Sequence, residues 1–399
     1  MTTPTARAAD RAPLARALFI NSGILGHRTV AGLLKDTLEL VDSIDATHID
    51  LSRDLTPGDR LVRRVFSLPL APRAGLAGNL DLRRWREELN VGLLAGRRIA
   101  AAERGRPFDV LHFHTQASAY ASVARMKRTP SIVSIDATQQ LASQEAPSAL
   151  TRLTYTPNMV HDGFVFRHAA AITATSEWAA RDVRAHYPDC HARVHVMPYP
   201  VRTLADPAWL AERDDRAAQP VRALFMGGDF PRKGGPDLLE AWRRCEFGGR
   251  ATLDVVTDWP IGAEDLPSGV RLVPGVAPYT PQWLDVWRRA DFFVMPTRHE
   301  AFGMVFQEAA AAGLPSIATA INAIPEIVQD DMNGLLVAPG DRAGLVRALR
   351  ALVDSRELRR RLGAAALDRV RVAGAPGRYA SRLEALIHSV LDHDVRRET

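Results

Sequence analysis

Two glutamates eight positions apart, Glu300 and Glu308, stand in the segment Pro296-Thr297-Arg298-His299-Glu300-Ala301-Phe302-Gly303-Met304-Val305-Phe306-Gln307-Glu308. The segment follows the apolar run FFVM and opens an alanine-rich stretch with helical character. A strand, a glycine turn and a helix start form an anion site, because the first N–H groups of a helix have no intrahelical partner. Carboxylate oxygens accept paired hydroxyl hydrogen bonds well, and a ribose or a sugar offers such pairs. Read by spacing alone, the same two residues would also serve as a capping acid and a surface acid.

A second segment, FMGGDFPRKGG at 225–235, is a candidate phosphate site. Gly227 and Gly228 let the backbone approach an anion, and Arg232 and Lys233 supply two positive charges. The spacing is not that of a P-loop, and no G-x-G-x-x-G fingerprint occurs. A glycine turn with exposed cations would look the same. A third glycine loop, Ser22-Gly23-Ile24-Leu25-Gly26-His27-Arg28, follows the first apolar run, and Gly23 and Gly26 would admit a ligand close to the backbone. His112 and His114 fall on one face of one strand. His114, at the strand end, is expected at a cleft, and His112 in the core. Asp136 ends the next strand in a similar place. Spacing marks no third metal ligand, and the one D-x-D, Asp392-His393-Asp394, lies in the tail, so no metal and no cofactor is expected.

The elements that must position these residues are legible as short apolar runs alternating with helical patterns, the mark of parallel α/β units. Strands are predicted at 17–21, 47–51, 110–114, 131–136, 171–175 and 193–197, then at 221–226, 251–257, 270–273, 292–295, 316–318 and 334–337. Helices are predicted at 30–40, 177–186, 236–245, 282–289, 305–312 and 342–353. The fold class is α/β, with two doubly wound domains facing across a cleft. Residues 1–13 read as a loose leader, 14–200 as the first domain, 201–220 as a linker and 221–375 as the second domain. Residues 376–399 read as a final helix packing back on the first domain. In such sheets ligands bind beyond the carboxyl ends of the strands, so the site belongs in the cleft.

Bulk composition agrees with two soluble domains. The 399 residues are 46% hydrophobic and 24% charged, too long for one ordinary core and with little room for disorder. Two cysteines cannot make a disulfide framework, which fits a reducing cytoplasm. No apolar run reaches the roughly 18 residues of a spanning helix. The net charge is +5. Segment 60–106 is rich in arginine, with Arg60, Arg63, Arg64, Arg83, Arg84 and Arg86 interleaved with Leu61, Val62, Val65, Phe66, Leu68 and Trp85. Such a surface can rest on anionic lipid at the inner membrane face, or it can be solvated helix faces. No nucleic-acid motif accompanies the charge, and no nucleic-acid partner is expected.

Taken in order, these segments resemble glycosyltransferase family 4, a retaining family with the GT-B fold. The resemblance runs from about Leu18 to Leu391. It is strongest over 221–340, where PTRHEAFGMVFQEAAAAGLPSIAT, IPEIV and NGLLVAPGD look like the family's C-terminal signature. It implies that Glu308 holds the donor ribose. Glu300, with the amides of Ala301, Phe302, Gly303, Met304 and Val305, would meet the donor sugar and distal phosphate. Lys233, helped by Arg232, would bind the diphosphate, with Gly227 and Gly228 beside it. Val273 and Gly275 would lie against the base, and the loop of Gly23 and Gly26 would approach the phosphates or the acceptor. Gly228-Asp229 stands where the family often has Gly-Arg, and Asp136 where it commonly has His.

The expected function is metal-independent, retaining transfer of a hexose-type sugar from a nucleoside diphosphate, UDP favoured and GDP-mannose next, to a hydroxyl acceptor. The alternatives are another GT-B enzyme, such as a sugar-nucleotide epimerase, and a non-catalytic nucleotide-sugar binding protein. Glu300→Gln separates the last, since a binding protein has no turnover to lose.

Overall fold

A computed structural model describes residues 14–23, 27–70, 81–216 and 219–398. Gly26 lies outside them. The chain forms two all-parallel sheets of six strands. The first contains β1 (Ala15–Asn21), β2 (Ile44–Asp50), β3 (Val110–His114), β4 (Ser131–Ile135), β5 (Ala171–Ala174) and β6 (Val194–Val196), in the order β2-β1-β3-β4-β5-β6. The second contains β7 (Val221–Met226), β8 (Ala251–Val256), β9 (Val270–Leu272), β10 (Phe292–Met295), β11 (Ser316–Thr319) and β12 (Gly334–Val337), in the order β12-β11-β10-β7-β8-β9. Every predicted strand is present, with ends displaced by one to three residues or not at all.

The two orders decide where ligands can go. In the second sheet the order reverses between β7 and β10, and in the first between β1 and β3. A crevice opens at such a switch point because the connections leave to opposite faces. Register brings Phe293 opposite Leu224, so the loops leaving β7 and β10 emerge side by side. Likewise Asn21 is opposite His114, which puts the exit of β1 beside the end of β3.

Central strands are buried on both faces, as parallel sheets require; all four residues of β10 are buried. Beneath the second sheet Trp283, Trp287, Phe293 and Phe306 form a run of edge and tilted ring contacts, 5.7, 5.4 and 5.6 Å between centroids. Such pairs add about 0.5–1.5 kcal/mol each beyond area burial, and here they brace β10 and the helix after it.

The chain crosses between domains twice, and the Val201 amide donates to the Gly374 carbonyl at 2.9 Å where the crossings meet. Segment 201–220 holds a helix, Pro207–Asp215, started by Asp206 and Pro207. It adheres to the second domain, and the Leu204 and Ala205 amides both donate to Ala311. The last helix, Pro376–Glu398, sets Tyr379, Leu383 and Ile387 into the core of the first domain with Phe19, Val30 and Leu34. No helix among the described residues is long and apolar enough to cross a membrane.

Candidate active site

The loop after β7 and the loop after β10 are joined at several points. Lys233 is ion-paired with Glu300, and both side chains are mostly buried. The Arg232 carbonyl accepts from the Arg298 amide at 2.9 Å, and the Arg232 guanidinium donates to the His299 carbonyl at 2.9 Å. Gly234 has φ +78°, and a Cβ there would strike the Pro296 carbonyl. Only glycine allows both the left-handed turn and that approach. The helix Gly235–Cys245 starts directly behind it. Its Asp237 is held by Arg298 and by Arg342; burial opposes its ionisation, and the two guanidiniums more than offset that.

Gly303, at φ +90°, opens the helix Met304–Ala311. The first N–H groups of this helix have no intrahelical partner, and such a helix end carries about half a positive charge. Glu308 lies further along this helix, 8% exposed, with its carboxylate accepting from the Tyr279 hydroxyl at 3.2 Å. Burial raises its carboxyl to about 7, and the Tyr279 hydrogen bond acts against that rise. The paired Lys233 and Glu300 thus stand beside the helix start at Gly303, and the same helix carries the buried Glu308, residue types suited to a phosphate next to a polyhydroxylated group.

The remaining expected residues are more scattered. Gly227 is packed against Lys233, 3.0 Å from a would-be Cβ to Cγ, whereas Gly228 has open space around it. Val273 is tied into the sheet edge by its amide, and Gly275 is exposed with its amide donating to Asp258 at 2.8 Å. Phe302 is a packing residue: it is buried, 5.6 Å edge-on to Tyr199 and part of the first domain's core. Met304 packs against the same cluster, and Val305 against the second domain's core. Arg232 shares its charge with Asp229 at 3.1 Å. In the first domain, Gly23 has φ +65°, and a Cβ would meet Asp50 and Ser52. His114 does not line an open cleft, because it is fully buried and its Nε2 is 2.8 Å from the Tyr199 hydroxyl. The crossover segment that carries Tyr199 covers it. Asp136 is half-buried nearby; burial first, then the Asp136 charge, hold the Tyr199 phenol well above its ordinary range. His112 is a core residue, 2.9 Å from Ser134, and burial pulls it down to about 3.

Several supporting residues are not marked by motif spacing. Tyr279 and Asn322 both adopt left-handed backbone, φ 61° and 50°, unusual for residues other than glycine. Tyr279 holds Glu308, and the Asn322 side chain donates to the Glu300 carbonyl and to Glu145, at 2.9 Å each. Glu145 of the first domain also contacts His299 at 3.2 Å. Glu326 reaches from the second domain to accept from the Glu177 and Trp178 amides, both at 2.7 Å, at the start of helix Glu177–His186.

Comparison with known proteins decides the family. Residues 220–355 match the family described as "Glycosyl transferases group 1", and residues 36–200 match "Glycosyl transferase 4-like domain". The chain belongs to glycosyltransferase family 4. Among the relatives of this glycosyltransferase is the D-inositol 3-phosphate glycosyltransferase of Streptomyces scabiei, 26% identical over 93% of the chain and 82% of that protein. That of Stackebrandtia nassauensis is 29% identical over 81% of the chain and 76% of that protein. The match to the Geodermatophilus obscurus protein, at 27% identity, spans 66% of the chain and 64% of the relative's length. In fold, the glycosyltransferase is similar to sucrose-phosphate synthase from Thermosynechococcus elongatus, with TM-score 0.70, 17% identity, and 95% and 100% of the two chains covered. It is also similar to Anabaena HepE solved with UDP and glucose, with TM-score 0.66, 15% identity, and 94% and 100% covered. The fold is GT-B.

Proposed function

We propose that the chain moves a hexose-type sugar from a nucleoside diphosphate donor to a hydroxyl acceptor, with retention and without a metal. The observation that carries the reading is the convergence of Lys233, Glu300, the 303–305 helix start and Glu308 at the β7/β10 switch point. When the donor bond breaks, negative charge grows on the distal phosphate. Lys233, Arg232 and the amides at 301–305 would stabilise it in place, without a metal ion. Glu308 would accept from the ribose hydroxyls, and Glu300 would face the sugar. A phosphate between Lys233 and Glu300 would take over part of the lysine's pairing. Val273 and Gly275 would border the base, and Gly227 and Gly228 the diphosphate. Gly23, Gly26 and Asp136 belong to the acceptor side.

UDP is the favoured nucleotide, supported by the fold likeness to a protein solved with UDP-glucose, with GDP-mannose next. Retention follows if the acceptor attacks from the face the diphosphate leaves, with a phosphate oxygen taking the acceptor proton. The helix Pro57–Phe66 exposes Leu61 and Val65 beside Arg60, Arg63 and Arg64, which supports peripheral contact with anionic lipid. Arg83, Arg84 and Arg86 are less available, being paired with Glu87, Glu88 and Asp81.

The test is turnover with UDP, GDP, ADP and dTDP sugars in excess chelator, with the product anomer assigned by NMR. Chelator-resistant transfer with the donor's anomeric configuration is expected. An inverted product, or full loss of turnover restored by a divalent cation, would overturn the mechanism.

A further inference from the structure

The second sheet runs β7-β8-β9 at one edge, so the turn after β8 emerges between the loop of Lys233 and the segment of Val273 and Gly275. The three strands are parallel, and their carboxyl ends share the side of the sheet where ligands bind. The exits are tied together. The Gly227 amide donates to the Val256 carbonyl at 3.0 Å, the Val273 amide to the Val255 carbonyl at 2.9 Å, and the Gly275 amide to the Asp258 carboxylate at 2.8 Å.

The turn after β8 reads Thr257-Asp258-Trp259-Pro260-Ile261. Trp259 is 43% exposed, whereas the other six tryptophans are buried or half-buried. A lone apolar side chain on a surface is ordinary. This one is set apart by its place and by the way its backbone is held. The Trp259 amide donates to the hydroxyl of buried Thr257 at 3.1 Å, and Ile261 packs on the second domain's core. Pro260 disfavours helical backbone at the residue before it. The segment after β9 continues from Gly275 to Tyr279, whose hydroxyl donates to Glu308 at 3.2 Å. A ribose on Glu308 would carry its base toward residues 273–279, next to the turn of Trp259.

Resting on the donor reading of Lys233 and Glu308, we propose that Trp259 is the platform on which the donor nucleobase stacks. Val273 and Gly275 then meet the edge of the base and the indole meets its face. Every nucleobase has a π-face, so such a platform adds affinity without choosing among bases. An indole has few rotatable bonds and is large, so it supplies contact area at little cost in side-chain entropy. Asp258, by holding the Gly275 amide, keeps the platform and the edge in register.

Titration calorimetry of UDP, GDP, ADP and dTDP into wild type, Trp259→Ala, Trp259→Phe and Lys233→Ala tests this, with tryptophan emission followed in parallel. For a nucleotide that wild type binds, Trp259→Ala is expected to weaken affinity about 5- to 150-fold, and Trp259→Phe to stay within about fivefold of wild type. A base stacked on the indole quenches it, so saturating nucleotide should quench wild type more than Trp259→Phe. Both variants should keep the wild-type melting temperature, because the indole lies outside the core; should Trp259→Ala not fold, the emission comparison decides alone. Unchanged affinity in Trp259→Ala, equal losses in the two variants, or equal quenching of wild type and Trp259→Phe overturns the platform. If Lys233→Ala still weakens binding in that case, the donor reading stands without it. Binding of none of the four nucleotides to wild type overturns both.

Discussion

Glu308 is where burial and chemistry act on the same atom. Its carboxyl is raised to about 7 from an ordinary 4.5, with burial the leading cause. From about 4.5 upward the unfolded chain releases this proton while the folded chain holds it, so this group lowers stability as pH rises to about 7, and the effect is constant beyond. For the donor the sign is reversed, because the ionised form accepts two ribose hydroxyls best. The donor KM should therefore fall as pH rises from 6 to 8, and Glu308→Gln should raise KM and flatten that profile; an unchanged profile in the variant would remove Glu308 from the ribose. The placement of Lys233 and Glu300 in glycine-containing loops after β7 and β10 was legible from the apolar runs before them, and the structure pairs the two side chains. Tyr279 and Asn322 were not legible, because a tyrosine in left-handed backbone leaves no mark in sequence and the contact of Asn322 spans 22 residues. His114 was half legible: its place at the end of β3 is right, but the covering Tyr199 comes from 85 residues away.

The elements were more legible than their partners. A parallel strand buried on both faces reads as a short apolar run whatever lies beside it, which is why β3, β7, β10 and β12 match the predicted spans. Which strands are neighbours, and so where the switch points fall, depends on pairing that no local pattern encodes. The helix Pro207–Asp215 carried its own signal, an aspartate cap followed by proline, within a segment whose polar character suggested a linker. The loops at β7 and β10 make the sharpest element-scale prediction. Gly234→Ala meets both a left-handed φ and the Pro296 carbonyl, and should cost on the order of 2–4 kcal/mol, with loss of turnover. Gly228→Ala, with open space and no positive φ, should stay within about 0.5 kcal/mol. Denaturant midpoints for the two variants check this, and equal effects would contradict the packing account.

For the whole molecule, the two domains meet through polar contacts, through apolar packing of Phe302, Ala323, Met304 and Ile327 on the first domain's core, and at two adjacent crossings, at Val201 and Gly374. Glu326 acts as a helix cap supplied across the boundary, beside the Ser176 side chain that caps the same helix within its own domain. Glu326→Ala should cost about 1 kcal/mol as a lost cap and loosen the arrangement, raising the radius of gyration by small-angle scattering. A scattering profile identical to wild type would show that the crossings and the apolar packing around Phe302 fix the domains without this cap. Donor binding is expected to act in the opposite direction, drawing the domains together about those crossings.

On the proposed function, the loops after β7 and β10 hold the donor diphosphate through Lys233. Titration calorimetry of UDP, GDP, ADP and dTDP into wild type and Lys233→Ala addresses it most directly. At least one nucleotide, UDP first, should bind wild type with one site in the crevice. Lys233→Ala should weaken it by about 1.5–3 kcal/mol, roughly 10- to 150-fold. Affinity for that nucleotide unchanged in folded Lys233→Ala would contradict the account.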